Sequence, residues 1–411
     1  MNDTETATAV LAAPATGRGA PTAAARGAVL AAAGLTLMAA AVIAPSLPAM
    51  AEAFGGTPAA ESAVRLALTI TSLAIAVSAP LAGALTDRFG RRGVLLGGLV
   101  LYALAGTAGA LAPGLGVLIA TRALLGVAVG GIITAVTATL TDWFDGDLRA
   151  RYLGLQQAAA SLGGVVLLPV AGLLSGLGWR APFWLYGTGI LVGAAVFATV
   201  RQTRPTPTRP APGSGPSPTL QGRTTTARIA GIYGLALAAT VVFYMAPTQV
   251  PFLLDGSGAG PTVVGLAIAA STLTGLFGAL AYPVLWRHVP TSAITAFGIA
   301  ALGTGWLLVA TASLPGVFAG LLVGGLGVGV TVPNLNLVLS GLAPAVHRGR
   351  VLAGLVSGIF LGQFLSPIAV APLAAATGVA GAFGWTGAAA LTASLIAGTA
   401  ALAAARSHRP A

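Results

Sequence analysis

Gly83-Ala84-Leu85-Thr86-Asp87-Arg88-Phe89-Gly90-Arg91-Arg92 separates two long apolar runs, 61–85 and 93–112. A single acid sits at the end of the first run. Three arginines crowd the turn, and a glycine falls where the chain must reverse. Asp87 suits a position facing the positive N-terminus of another helix. Gly90 permits a tight turn, and Gly83 permits close approach of a neighbouring helix. Arg88, Arg91 and Arg92 hold such a loop on the cytoplasmic face of a membrane.

The rest of the chain reads as a repetition of this hairpin. Of 411 residues, 56% are hydrophobic and 7% charged, with a mean hydropathy of +0.91. Soluble domains carry about 25% charged residues, so a soluble enzyme, a secreted domain and a disordered chain are all excluded. Twelve apolar segments, each long enough for a hydrocarbon core of about 30 Å, are expected near 27–51, 61–85, 93–112, 116–140, 152–174, 181–200, 228–253, 262–286, 292–312, 315–341, 351–374 and 380–403. The expected fold class is all-α and integral to the membrane: twelve transmembrane helices in two pseudo-symmetric six-helix bundles.

Net charge is +11, and every basic residue is arginine. The arginines lie in short gaps between apolar runs, so they mark topology rather than nucleic-acid binding. With the N-terminus inside, 17 of the 20 fall on the cytoplasmic side; Arg65, Arg122 and Arg180 are the exceptions. Both termini are therefore expected in the cytoplasm of a cell (inner or plasma) membrane protein. Cysteine is absent, so no disulfide or thiolate chemistry is available. Nothing indicates a metal or other cofactor.

Residues 1–26 read as a disordered cytoplasmic tail, and 404–411 as a second short tail. The Pro-, Ser- and Thr-rich stretch 201–227 reads as a cytoplasmic linker. It parts an N-terminal six-helix bundle, 27–200, from a C-terminal one, 228–403. At an offset of 199 residues, Pro48 matches Pro247, and Arg149 and Arg151 match Arg348 and Arg350. Gly126, Gly130 and Gly163 match Gly325, Gly329 and Gly362, though glycine coincidences are expected in this composition. Parallel repeats place a substrate site at their interface near the bilayer midplane.

The loop quoted above closely resembles the signature between the second and third helices of the major facilitator superfamily. The corresponding loop of the second half, Tyr282-Pro-Val-Leu-Trp286-Arg287-His288, keeps only Arg287, matching Arg88. Any charged latch is thus expected mainly in the first half. The fourth segment, Arg122-Ala-Leu-Leu-Gly126-Val-Ala-Val-Gly130, resembles that family's fourth helix, an arginine followed by glycines on one face. Arg122 lies about 9 Å from the outer end at 1.5 Å per residue. It is either a functional intramembrane charge or a side chain snorkelling to the interface. The fifth segment carries Gly163 and Pro169 and resembles the pattern of the family's exporters. It departs from that pattern where Leu168 stands in place of the glycine of a Gly-Pro pair. Gly178-Trp179-Arg180-Ala-Pro182-Phe183 resembles the run before the sixth helix of drug exporters. The resemblance implies alternating access around a cavity lined by helices one, four, seven and ten.

The candidate residues follow from these motifs. A conformational latch is expected from Gly83, Asp87, Arg88, Gly90, Arg91, Arg92, Asp142 and Arg350, with Asp87 at the N-terminus of the eleventh helix. Helix packing is expected at Gly126, Gly130, Gly163 and Pro169. Tyr244, Gln249, Asn334, Asn336 and Gln363 are uncharged polar residues at membrane depth. Each is either a substrate contact or interhelical hydrogen bonding. None of the nine acids lies mid-membrane. The expected substrate is therefore a small neutral or anionic molecule rather than a cation. Glu52, paired with Arg122, is the expected proton site; the alternatives are a site formed by substrate and water, or transport without protons. The function expected is secondary active export of small lipophilic molecules or drugs by proton antiport, by a monomer embedded in the lipid bilayer. A metabolite importer or exchanger of the same superfamily is the alternative, with a channel behind it. The histidines sit in loops or the tail, and no nucleotide-binding signature occurs, so an enzyme is not expected.

Overall fold

The computed structural model describes residues 21–201, 223–343 and 348–407. The expected tails and linker lie largely outside these residues, as do the side chains of Asp87 and Arg348. Fourteen α-helices are described: α1 (Ala23–Gly34), α2 (Met38–Ala41), α3 (Leu47–Ala53), α4 (Pro58–Phe89), α5 (Arg91–Ala108), α6 (Leu115–Trp143), α7 (Gly146–Ser175), α8 (Thr188–Thr199), α9 (Arg223–Phe243), α10 (Met245–Asp255), α11 (Pro261–Leu285), α12 (Thr291–Val309), α13 (Leu314–Leu342) and α14 (Arg348–Ser407). There are no strands among the described residues.

Ten helical runs are long and apolar enough to cross a membrane, and the first span makes an eleventh as a bent pair, Ala23–Gly34 with Ala39–Ala53, turned by 44°. The 60 residues of α14 break at Gly378, where φ is 75° and ψ is 170°. That backbone favours glycine, and it divides α14 into the eleventh and twelfth spans. The chain is a multi-pass membrane protein with the expected all-helical architecture.

The two halves pack alike. In the first, α4 packs on α6, α6 on α5, and α1 on α7; in the second, α11 packs on α13, α13 on α12, and α9 on α14. Glycines make these approaches possible. A Cβ on Gly126 or Gly130 of α6 would collide with the Thr71 carbonyl or the Ser78 hydroxyl of α4. A Cβ on Gly325 or Gly329 of α13 would collide with the Ser271 or Gly275 carbonyl of α11. Gly163 meets Gly34 of α1, and Gly362 meets Leu237 of α9. The glycine matches that composition alone would produce therefore mark the same crossings in both halves.

The first and seventh spans are both broken. In each, a proline stands just inside the restarted helix, Pro48 in α3 and Pro247 in α10; early helix positions tolerate the missing N–H. A break frees carbonyls that lipid cannot satisfy. Side chains from neighbouring helices supply donors instead. Tyr102 and Tyr186 hydroxyls donate to Leu35 O (3.2 Å) and Ala39 O (2.6 Å). Trp306 Nε1 and Ser366 Oγ donate to Val242 O (2.9 Å) and Val241 O (2.7 Å).

Candidate functional site: the interface between the bundles

The bundles meet along α4 with α14 and α7 with α11. The second crossing is built on glycine: Gly172 packs on Pro261 and Gly265, and Gly265 on the Leu168 carbonyl. Hydrogen bonds between the bundles cluster in the middle and at the end that carries Glu52. Ser72 Oγ donates to Gln363 Oε1 at 2.7 Å, and Arg65 Nε donates to Thr248 O at 3.3 Å. Among the described residues, none joins the bundles at the opposite, arginine-rich end. At the Glu52 end, residues 42–47 of the first span and 244–251 of the seventh are buried throughout. The structure is thus sealed at one end of the interface.

Tyr244, at the break between α9 and α10, is buried beside Ser72. The structure therefore brings Tyr244 and Gln363, two of the expected substrate contacts, around a serine that sequence reasoning passed over. Ser72 carried no signal of its own; an isolated serine in an apolar helix is common. Gln249 is buried in α10, and its Oε1 has no hydrogen-bond partner. An unpaired buried acceptor costs free energy that a donor from substrate or water recovers. Toward the arginine-rich end a cavity of about 430 Å³ opens between α4, α9 and α14. Leu73, Val77, Tyr233, Leu237, Ser357 and Leu361 line it. Of the four helices expected to line a cavity, only the seventh span does so here. The space exists because Gly234 and Gly358 offer no side chain to fill it.

Asn334 and Asn336 stand apart from this group. Asn334 is fully buried inside the second bundle, where Tyr282 Oη donates to its Oδ1 (3.1 Å). Its Nδ2 donates to Thr291 O (2.8 Å) and Thr295 Oγ1 (2.7 Å). Three of its four hydrogen-bonding positions tie α11, α12 and α13 together inside one bundle, away from the interface. Asn336 Nδ2 donates to Val332 O of its own helix at 3.0 Å. Both were expected on polarity at membrane depth, a property that packing asparagines share.

Arg122 and Glu52 are not brought together. Glu52 is exposed, and Arg122 is fully buried in the first bundle. Arg122 Nη2 donates to Ala105 O (3.2 Å) and Gly106 O (2.8 Å), in the last turn of α5. There a cation meets two carbonyls of the last turn and the negative end of the helix dipole. Its guanidinium also lies 4.8 Å from the ring centroids of Phe183 and Tyr186. Gly106 and Gly109 leave room for this stack, since a Cβ on either would strike Tyr186 or Phe183. Tyr186 in turn holds the broken first span at Ala39.

The other two arginines that broke the charge asymmetry are held the same way. Arg180 Nε donates to Ala110 O (2.9 Å), and its guanidinium covers the Trp179 ring at 4.0 Å. Arg65 combines the Thr248 carbonyl with the Phe252 ring at 3.9 Å. Carbonyl oxygen and aromatic face meet each cation, while the buried Nε and Nη1 of Arg122 have no hydrogen-bond partner.

At the arginine-rich end, Arg91 Nε bonds Asp142 Oδ2 at 3.0 Å and Arg91 Nη1 donates to Thr86 O at 3.1 Å. Helices α4, α5 and α6 are thereby joined. Arg92 Nη2 donates to Phe197 O (2.7 Å) at the end of α8. Gly90 turns the chain with φ 81°. Arg88 is exposed with its guanidinium 5.6 Å from the Phe89 ring, and Arg350 is exposed. The expected contact of Asp87 with Arg350 lies outside the described side chains. Gly83 is not a packing glycine: a Cβ there would meet nothing within 4 Å. No described atom closes on it. Pro169 lies half-buried within α7.

Two repeated six-helix bundles meeting around broken first and seventh spans define a membrane transporter with two-fold internal symmetry. The sequence profile of the Major Facilitator Superfamily matches residues 29–281, and the chain belongs to that family. It is a transporter, not an enzyme. The tetracycline resistance protein, class C, of Escherichia coli is 30% identical over 311 residues, covering 70% of this chain and 74% of that protein. Two solved structures share the fold. One is a bacterial homologue of the human lysosomal transporter Spinster in an inward-facing and occupied conformation, with TM-score 0.69 and 16% identity over 90% of this chain and 93% of that one. The other is a D-xylose-proton symporter, with TM-score 0.70 and 17% identity over 91% and 96%.

Proposed function

We propose that the chain exports small lipophilic molecules from the cytoplasm in exchange for protons, with the arginine-rich end and both termini cytoplasmic. In this reading 201–227 links the halves 27–200 and 228–403. The observation that carries it is the chemistry of the interface: Tyr244, Ser72, Gln363 and Gln249 are uncharged, and the adjoining cavity is apolar. Such a lining takes neutral or weakly polar ligands and gives no special pull to a cation. The relative of 30% identity, named for tetracycline resistance, supports export, and arginine placement supports the orientation. The seal then lies on the outer side. The test is uptake of tetracycline and a panel of lipophilic compounds into everted vesicles. Accumulation driven by an imposed proton gradient and abolished by an uncoupler is the expected result. Accumulation only in right-side-out vesicles overturns export in favour of import.

The latch belongs to the same reading. In this reading the Asp87 carboxylate meets the N-terminus of α14, near Arg350, when the cytoplasmic side closes, and stabilises that closed conformation by about 0.3–2 kcal/mol. Asp87→Asn is expected to slow transport several-fold while leaving substrate affinity and expression intact. An unchanged rate in the same vesicles removes the latch.

A further inference from the structure

We propose that Arg65 is the bolt of the seal, a residue of the first bundle that fastens the second and whose release permits opening at the Glu52 end. Arg65 sits two turns into α4, with its side chain 14% exposed. Three bonding directions are used at once. Nη2 pairs with Glu61 on its own helix at 3.1 Å, which fixes the long side chain in one rotamer. Nε reaches across the interface to the backbone oxygen of Thr248 at 3.3 Å. The guanidinium face lies on the Phe252 ring, 3.9 Å from its centroid. The second and third partners belong to α10, the restarted half of the broken seventh span. Thr248 is itself locked, its hydroxyl donating back to Tyr244 O at 2.8 Å.

The partners are what a moving seal requires. A carbonyl and a ring hold a guanidinium firmly when dry, yet neither is an ion that must find a new counter-charge when the bundles separate. Glu61 stays with Arg65 on the same helix, so opening moves no unpaired charge. Only the cross-bundle hydrogen bond and the ring contact break, and water replaces both. A lysine cannot reproduce this arrangement, because it lacks the planar face and the directed Nε–H. Glu52 is exposed nearby in sequence terms but makes no bond in the seal among the described residues.

This inference rests on the alternation of access that the family membership implies, but not on substrate, proton coupling or orientation. The test measures separation of the two segments at the Glu52 end directly. The chain has no cysteine, so Ser62→Cys and Ser257→Cys, both at exposed positions, take spin labels without background. Distance distributions are recorded by pulsed electron resonance on the full chain in lipid nanodiscs. Arg65→Met, which removes the ring contact and the hydrogen bond, is expected to raise the long-distance population about tenfold, and Phe252→Leu, which removes the ring contact alone, about threefold. Arg65→Lys should behave as Arg65→Met. A short-distance peak retained in each variant shows that the bundles still fold. Distributions unchanged in both Arg65→Met and Phe252→Leu overturn the bolt, as does full rescue by lysine, which would reduce Arg65 to a mere positive charge. Vesicle export can fail without touching this result, and the reverse holds too.

Discussion

The two bundles repeat one backbone plan but fasten their arginine-side ends by opposite chemistry. In the first, Arg91 joins Asp142 and the Thr86 carbonyl in a partly exposed ionic knot. In the second, the corresponding positions are Pro290 and Gly341, and Tyr282, Asn334, Thr291 and Thr295 form a neutral network further inside. Tyr282 even occupies the place of Gly83, filling the space the first half leaves open. Toward the Glu52 end the first bundle shows the same contrast. Arg122 is matched by Leu321, and both are fully buried. One half can thus exchange partners with water and charge, while the other is bonded inwardly. A moving half set against a stiff half is a natural division of labour for two bodies that rock about a shared interface.

The largest effect is expected where the difference is deepest. Arg122→Leu gives the first half the residue that the second half already uses. Leucine has a precedent at this crossing, so the chain should still insert and fold. The loss comes from orphaning. The Ala105 and Gly106 carbonyls lose their charged donor, and Phe183 and Tyr186 lose the cation against their rings. A destabilisation of about 2–4 kcal/mol is expected from those combined terms. Transport should fall further than stability alone explains, because Tyr186 holds the broken first span through Ala39. Arg122→Lys should rescue only in part, since an ammonium can donate to the two carbonyls but lacks the planar face that lies on the Phe183 and Tyr186 rings. The check is thermal unfolding in detergent beside vesicle transport. Wild-type transport in the leucine variant would mean that the two halves are equivalent at this depth.

Asn334→Leu comes next and attacks the stiff half. Three hydrogen bonds vanish, and the Tyr282 hydroxyl and Thr291 carbonyl remain buried. Interhelical bonds in membranes average about 0.6 kcal/mol, so about 2 kcal/mol is expected. Because no ion is involved, the loss should be the same at low and high salt. Substrate affinity should not change. A weakened affinity at intact stability would return Asn334 to the substrate site.

The fold was legible because hydrophobic length, arginine placement and the Gly90 turn are all local properties of the chain. Pro48 and Pro247 even marked the two broken spans, although only the structure shows the breaks. The site was legible in part. Tyr244 and Gln363 could be listed as polar residues at depth, but their meeting at Ser72 depends on the register of α4 against α14, which no local pattern encodes. Asn334 looked the same in the sequence as Gln363, yet one faces its own bundle and the other the interface. A helix in lipid carries weak amphipathic patterning, since its outside is as apolar as its core. Which side of a membrane helix faces a neighbour therefore cannot be read from hydrophobic period. Glycine is the partial exception. Gly126, Gly130, Gly325 and Gly329 marked true contacts in both halves, while Gly83 marked an open face.

The smallest effect belongs to the ionic knot, and it sharpens the comparison by its salt dependence. Asp142→Asn leaves Arg91 its bond to the Thr86 carbonyl and removes the charge opposite it. Asp142 and Arg91 side chains are 36% and 18% exposed, so water already screens the pair. Such pairs contribute about 0.2–1 kcal/mol. Raising the salt from low to about 0.5 M shortens the screening length to below about 5 Å and should erase the difference between Asp142→Asn and the unaltered chain. The Asn334→Leu deficit should persist unchanged in the same titration. If Asp142→Asn instead costs as much as Asn334→Leu and ignores salt, the first half is fastened as firmly as the second. The contrast of a yielding half and a rigid half would then fall, and with it the reason to place the moving latch among Arg88, Arg91 and Arg92.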